Sequence, residues 1–498
     1  MASATMAQSL IRSPATVKIR HRLPPRENII EVLGITRTQL FHGLSNTRLP
    51  VTCCNNNNER SSTISEEDSL SKMGKINKTQ LQVQQNVSQY ERLFSNLNEV
   101  TLKRDPGSMI SSILLVAGTT VGAGILAIPA VTQEAGFLAS AATCLLCWLY
   151  MVVTGLLVAE VNVNTMCELG SGGVSLVSMA LRTLGKGGVQ VACWSYLFIH
   201  YALLVAYVAR SSDTLSNFLG IPLWQSAILF SSIFGGICYY GSQRVIGAFN
   251  GFLVFGILIS FSILVGAAAD DIDWSSLLQA NVKAVPQSIP IICLAFVYQN
   301  VVPVLCTNLE GNLPRVRTAI VVGTSIPLAM FLVWDAVILG TISHLNSSGV
   351  TAVDPLLQLR SMNGIVGPIV ETFSFLAIAT SYIGFVLGLT DFLSDLLKLP
   401  ARRGEQPLSY LLTIVPPIFL SLLNPDIFFK ALDFAGTYGV LVLFGILPAA
   451  MAWAERYSEA CLSPTVPTIV PGGRITLCIV IGAAGFVITS ELLDNLLP

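Results

Sequence analysis

Residues 117–129 read A-G-T-T-V-G-A-G-I-L-A-I-P, and Gly118, Gly122 and Gly124 fall within seven positions. Each glycine weakens a helix by about 0.8–1 kcal/mol relative to Ala. The stretch lies inside an apolar run, 108–131, that holds no charged residue and is long enough to cross a bilayer. In hydrocarbon a freed backbone N–H or C=O has no water to turn to, so a break there must line a cavity within protein. Residues 108–117 reach about 15 Å as helix, which puts the weak point near mid-membrane. Taken alone, Gly118 and Gly122 also fit a GxxxG face for close helix packing. A second interrupted run, F-V-Y-Q-N-V-V-P over 296–303, favours the cavity. There Pro303 removes a backbone donor, and Gln299 and Asn300 set two amides in apolar surroundings where they need partners. A pair of broken helices offers non-covalent binding of a small solute by bared backbone dipoles.

Ionisable residues inside apolar runs are the second chemical signal, since a charge at the bilayer centre costs at least ~2.5–3.5 kcal/mol. Glu160 ends the second run and Asp335 lies well inside the seventh, so these two acids are the first candidates to carry a coupling proton. Asp433 opens the tenth run, whereas Asp391 and Asp395 read as solvated groups at an inner end. His200, beside Tyr201 in the third run, is a proton carrier or a neutral packed imidazole. Of the four histidines in the chain, only His200 lies in an apolar run, and it has no spaced acidic partner. An intramembrane enzyme would need a convergent nucleophile, base or metal set, so catalysis is not expected. Cys144 and Cys147 form a CxxC in mid-run with no matching pair, and they read as packing residues. No metal site and no cofactor are expected.

These residues must be positioned by membrane helices. Hydrophobic residues make up 52% of the chain and charged ones 11%, too few for a soluble surface. Residues 1–107 hold 23 of the 57 Asp, Glu, Lys and Arg residues, so the front is aqueous and the remainder lies mostly in lipid. Residues 1–54 are basic and rich in Ser and Thr, with no apolar core. That is the composition of a plastid transit peptide, or second of a mitochondrial one. Residues 55–105 read as a disordered lead-in to a transport domain over 106–498. Eleven apolar runs follow, at 108–131, 137–159, 189–209, 223–241, 245–267, 288–306, 319–343, 366–390, 408–424, 431–453 and 475–492. With the N-terminus inside, the inner flanks hold twelve Lys and Arg against four outside, a positive-inside bias. The expected architecture is an all-α polytopic membrane protein of about eleven helices. Broken helices at positions one and six imply a five-plus-five inverted repeat, over 108–267 and 288–453, with an appended helix at 475–492.

G-T-T-V-G-A-G-I-L-A-I-P at 118–129, A-E-V-N at 159–162 and A-T-S-Y-I-G-F-V-L-G-L-T-D-F-L-S-D at 379–395 resemble the aromatic amino acid permease family. That family comprises bacterial tyrosine- and tryptophan-specific transport proteins and their plastid relatives. The resemblance covers residue 108 to the C-terminus. It implies the inverted-repeat fold of the leucine-transporter and amino acid–polyamine–organocation groups, and ion-coupled movement of an aromatic amino acid. The chain departs from the bacterial pattern in span six, where relatives tend to have Phe-Gly-Phe-His and this sequence has Phe296-Val-Tyr-Gln299.

For an amino acid substrate, the half-helix N-terminus would meet the carboxylate and the carbonyls ending the preceding half would meet the ammonium. Gly118, Thr119, Thr120, Gly122, Ala123 and Gly124 form that expected cradle. Phe296, Tyr298, Gln299 and Asn300, with Tyr201 and Tyr382, are the expected contacts of the side chain, although Phe296 and Tyr298 equally fit ordinary packing. In the leucine-transporter fold a span-eight hydroxyl pair helps span-one carbonyls hold a cation. Thr380 and Ser381 match that position, which admits sodium; back-bonding within their own helix is the alternative. No lysine lies in span five, where some proton-coupled members of the wider fold carry one. The expected protein is a proton-coupled transporter of aromatic amino acids in the plastid inner envelope, with thylakoid or mitochondrial membrane as alternatives. Sodium coupling or another small solute is the second reading. The lipid bilayer is its surroundings, and neither nucleic acid nor a protein partner is indicated.

Overall fold

The computed structural model describes residues 107–498 except 170–173, 269–271, 347–365, 398–406, 425–426, 459–465 and 497–498. The expected leader over 1–54, the segment 55–105, and Asp270, Asp271, Lys398, Arg402 and Arg403 lie outside the described residues.

A chain this apolar must satisfy its backbone internally, and the described residues do so as helices with no strand. In chain order these are α1 (Met109–Thr120), α2 (Gly124–Thr132), α3 (Phe137–Leu169), α4 (Leu176–Leu219), α5 (Leu223–Tyr240) and α6 (Gln243–Ala268). After two short 3-10 turns come α7 (Val285–Ala295), α8 (Val302–Asn308), α9 (Leu313–Asn346), α10 (Val366–Leu396) and α11 (Pro407–Leu423). The last are α12 (Phe428–Tyr457) and α13 (Gly473–Leu496). Eight stretches are long and apolar enough to cross a membrane, α7 and α8 counting as one, and the bent pair α1–α2 is a ninth. The two shorter apolar helices are α5, with 18 residues, and α11, with 17. Each expected apolar run falls on helix, so the chain is an all-helical polytopic membrane protein.

Two local features go beyond the apolar pattern. Helix α4 begins at Leu176, ahead of the run expected from 189, with the Ser175 hydroxyl accepting from the Ser178 N–H at 3.2 Å. It turns sharply at Gly185, whose φ of 67° and ψ of −155° suit a residue without a Cβ. In α12, residues Ala435–Ile446 wind as a π-helix, which widens the helix where it faces the interior.

Burial separates the centre from the rim. Helix α10 is 78% buried over its most apolar window and α12 is 72% buried, against 22% for α13 and 28% for α6. The inter-helix contacts come in matched pairs. Helix α9 lies along α1 while α7 and α8 lie along α3, and α10 lies along α6 while α12 lies along α4. Likewise α4 packs on α5 as α10 packs on α11, and α4 on α11 as α10 on α5. Helix α13 leans on α12 at the outside of this arrangement.

Candidate functional site

Backbone hydrogen bonding stops being helical where the glycines cluster. Helix α1 ends at Thr120, Val121 is extended (φ −74°, ψ 107°), and α2 leaves at 53° to α1. Two contacts hold the break open. The Ala123 N–H donates to Ser381 Oγ of α10 at 2.9 Å. A Cβ on Gly122 would sit 2.8 Å from that same oxygen, and one on Gly124 would sit 2.8 Å from the Ala295 Cα of α7. Glycine at 122 and 124 therefore serves close approach of the two broken segments and α10. The Thr119 and Thr120 hydroxyls donate back to Leu115 O (2.7 Å) and Val116 O (2.9 Å), so both stay committed to α1.

The second break lies beside the first. Helix α7 ends at Ala295, residues 296–298 are not helical, a 3-10 turn covers Gln299–Val301, and α8 restarts with Pro303 in its first turn. In that turn a missing N–H costs nothing, because the first helical donors have no partner within the helix.

The two breaks enclose a cavity of about 750 Å³, its mouth included. Residues 118–124 and Leu294, Ala295 and Val297 make one wall, while Tyr196, His200, Leu203 and Tyr207 of α4 make another. Thr380, Ser381 and Phe385 of α10 and Leu432, Val440, Leu443 and Phe444 of α12 complete it. Among the described residues no Asp, Glu, Lys or Arg lines this space. A bound zwitterion would have its charges met by backbone groups, with aromatic and aliphatic surface for the remainder.

His200 is buried and its ring stacks on Tyr196 with centroids 3.9 Å apart. Its Nδ1 lies 2.8 Å from the Tyr196 carbonyl, an acceptor, so Nδ1 carries the hydrogen and Nε2 is left with a lone pair. That Nε2 has no hydrogen-bond partner among the described residues. The Ser381 hydroxyl is also reached by the Tyr207 phenol. The Thr380 hydroxyl donates to Asn250 Oδ1 of α6. Both hydroxyls of the expected cation pair thus have partners, neither of them the back-bond within α10.

Of the expected residues, the fold brings Gly118, Thr119, Thr120, Gly122, Ala123, Gly124, His200, Thr380 and Ser381 to the cavity. It directs the others elsewhere. Tyr298 donates its phenol to Met151 O of α3 at 3.0 Å, and Gln299 Nε2 donates to the same carbonyl at 3.2 Å and to Thr154 Oγ1 at 3.1 Å. Gln299 Oε1 accepts from the Tyr298 N–H, so this turn is sewn to α3 rather than turned to the cavity. Phe296 packs on Phe331 of α9, with centroids 5.0 Å apart, and Asn300 lies outside the lining. Tyr201 donates to Leu412 O of α11, and the Tyr382 ring sits edge-on to Phe230 of α5. Both leave α4 or α10 on faces turned from the cavity.

The two acids also separate. Both oxygens of Glu160 meet Arg456 of α12 at 2.7 Å, and one also accepts from the Ile469 N–H at 2.9 Å. Asp335 is fully buried in α9, and one oxygen meets Thr132 of α2 at 2.8 Å. Neither lines the cavity.

Residue-by-residue reading of the sequence missed Tyr196, Tyr207, Phe385, Phe444 and Asn250. A signal existed for α4, because 196, 200, 203 and 207 are spaced as one helical face. No group of His, Cys, Asp or Glu that could hold a metal ion occurs among the described residues.

Residues 106–491 match the model of the tryptophan/tyrosine permease family. Tyrosine-specific transport system 2 of Haemophilus influenzae is 31% identical over 74% of this chain and 91% of its own length. Tyrosine-specific transport system 1 of the same bacterium is 30% identical over 76% of this chain and 95% of its own. A tryptophan-specific transport protein of Pseudomonas aeruginosa is 29% identical over 70% of this chain and 87% of its own. With all but the front of the chain matched, and the helix breaks and charge-free cavity inside the matched region, this protein belongs to the tryptophan/tyrosine permease family, a family of transporters and not of enzymes.

Proposed function

We propose that this protein is a proton-coupled secondary transporter of aromatic amino acids that works by alternating access around the cavity between its broken helices. The observation that carries the reading is a cavity free of charged side chains, walled by Tyr196, Tyr207, Phe385 and Phe444, that abuts the unwound residues 121–123. The substrate's carboxylate docks on N–H groups at the start of α2, and its ammonium on carbonyls at the end of α1. Its ring lies among the aromatic residues of α4, α10 and α12, with His200 Nε2 ready to accept from a phenol O–H or an indole N–H. The relatives named for tyrosine or tryptophan transport support the same substrate class.

The matched contacts of the two halves support eleven spans arranged as a five-plus-five repeat with α13 appended. Proton coupling is preferred to sodium because the Ser381 oxygen, one of the two expected cation ligands, already accepts from the Ala123 N–H. The leader-like composition of residues 1–54 supports a plastid as the organelle, and we place the protein in its inner envelope. A reporter fused to residues 1–54 and imported by isolated plastids tests that location; import by mitochondria alone rejects it.

The transport reading is tested in liposomes holding the purified protein. Labelled tyrosine, tryptophan and phenylalanine are followed while pH and sodium gradients are imposed separately. Accumulation against a concentration gradient is expected under the pH gradient alone. Accumulation of none of the three under either gradient overturns the reading, and accumulation under sodium alone overturns its choice of ion.

A further inference from the structure

A transporter driven by protons needs a group that takes up one proton and changes its contacts when it does. We infer that Asp335 of α9 is that group and that Thr132 relays its protonation to α2, an inference that rests on the proton-coupled reading above. Asp335 has no exposed surface, lies next to Trp334 and Phe331 in sequence or on the same helix face, and no cation pairs with it among the described residues. One oxygen, Oδ1, meets Thr132 Oγ1 at 2.8 Å, and the other, Oδ2, has no partner among the described residues. Glu160, by contrast, has both oxygens held by Arg456 as one half of a bidentate pair.

The hydrogens around Thr132 make the carboxyl's state count. Thr132 Oγ1 lies 2.7 Å from the Ile128 carbonyl and 2.8 Å from Asp335 Oδ1, and a hydroxyl has one hydrogen to give. With Asp335 protonated at Oδ1, the carboxyl donates to Thr132 and Thr132 donates to Ile128, so both hydrogens have acceptors and the buried Oδ2 carries no charge. When the proton leaves, Thr132 must turn its hydrogen from Ile128 to the carboxylate, and Oδ2 stays buried as an unpartnered charged oxygen. Helix α2 feels that change because it has nine residues and Pro129 among them supplies no N–H. It runs from the cavity at Gly124 to Thr132, about 12 Å of helix. Protonation at one end is thereby linked to the half-helix that binds the substrate at the other.

The titratable surroundings are sparse. Helices α1, α2, α3, α6 and α8 and the turn Ser276–Leu278 pack against α9. Of these, α1, α2 and the turn carry no acidic or basic residue, and α6 has only Arg244, at its opposite end. The acids of α3 are Glu160, held by Arg456, and Glu168. Ahead of the turn, the Asp273 N–H donates to the Gly340 carbonyl of α9 at 3.2 Å, so Asp273 is a second acid on this side of α9. The thiols of Cys144 and Cys147 on α3 are both buried. On α8 the titratable group is Cys306, buried against Ala159 of α3. None supplies a counter-charge.

The test uses the full chain in liposomes with labelled tyrosine and two readouts, accumulation driven by a pH gradient and exchange at equal pH on both sides. For Asp335→Asn, accumulation should fall to the level seen without a gradient, so that the ratio of accumulation to exchange collapses. Thr132→Val keeps the shape but removes the carboxylate's hydrogen-bond donor. The pH at which exchange is half-maximal should then rise by about one unit, because a charge-assisted bond is lost from the deprotonated form. Gradient-driven accumulation by Asp335→Asn equal to that of the unaltered protein overturns the inference. So does an unshifted profile for Thr132→Val, which decides the matter if Asp335→Asn loses both readouts. Failure of the unaltered protein to respond to pH would strike the coupling reading instead, and is seen in the same experiment.

Discussion

Substituting Gly122 by Ala probes what keeps the first helix open. The added Cβ would lie 2.8 Å from Ser381 Oγ, against a comfortable separation of about 3.5 Å or more. The serine side chain can rotate away, but its oxygen is the acceptor for the Ala123 N–H at 2.9 Å. Turning it leaves a buried backbone donor unpaired at a cost of about 1–3 kcal/mol. Gly122→Ala should therefore weaken substrate binding by about 5- to 150-fold if the open form of the break is the binding form. Ser381→Ala should cost a similar amount, since it removes the same acceptor. The pair should not add. Once the serine oxygen is gone, Gly122→Ala meets no obstacle, so the double variant should resemble Ser381→Ala alone, with a coupling energy equal to the Gly122→Ala cost, about 1–3 kcal/mol. Tyrosine affinity of the four proteins, measured by scintillation proximity in detergent, completes the cycle. Equal losses for Gly122→Ala with and without Ser381 would show that the steric link does not hold the break. A Gly122→Ala variant of unchanged affinity would refute the whole chain of reasoning.

Three further outcomes follow from the contacts described. Glu160→Gln leaves Arg456 buried without its bidentate partner, and should destabilise the protein by about 3–5 kcal/mol, seen as a lowered unfolding temperature. Removing Arg456 as well, with Met, should recover part of that loss. Tyr298→Phe deletes only the hydrogen bond to Met151 O on the far side from the cavity. It should lower stability by about 0.5–1.5 kcal/mol with no change in tyrosine affinity, checked by calorimetry and binding together. His200→Phe removes the acceptor at Nε2 while keeping the aromatic wall, and should cut the preference for tyrosine over phenylalanine in competition assays.

The break at residues 121–123 was legible from sequence because three glycines in a charge-free run leave few other uses for them in hydrocarbon. The break near Pro303 was legible for the same reason, through its missing donor. Among the described residues, apolar runs likewise disclosed the spanning helices, though not the 176–188 start of α4, since bilayer thickness and backbone hydrogen bonding leave a spanning segment little choice. What they could not disclose is which way a side chain turns. Tyr298 and Gln299 sit in the interrupted stretch as expected, yet their polar atoms find Met151 and Thr154 on α3, a helix about 145 residues away in sequence. A non-helical turn has no periodicity from which to read a facing direction. Glu160 and Asp335 are chemically alike as intramembrane acids, and only the fold pairs one with Arg456 and sets the other against Thr132, with no cation beside it among the described residues. The sequence by itself determined that this chain folds as membrane helices with two of them interrupted, because those are local demands of lipid on backbone. Tertiary structure decided which residues share the cavity and which acid lacks a counter-charge, because both depend on contacts between helices far apart along the chain.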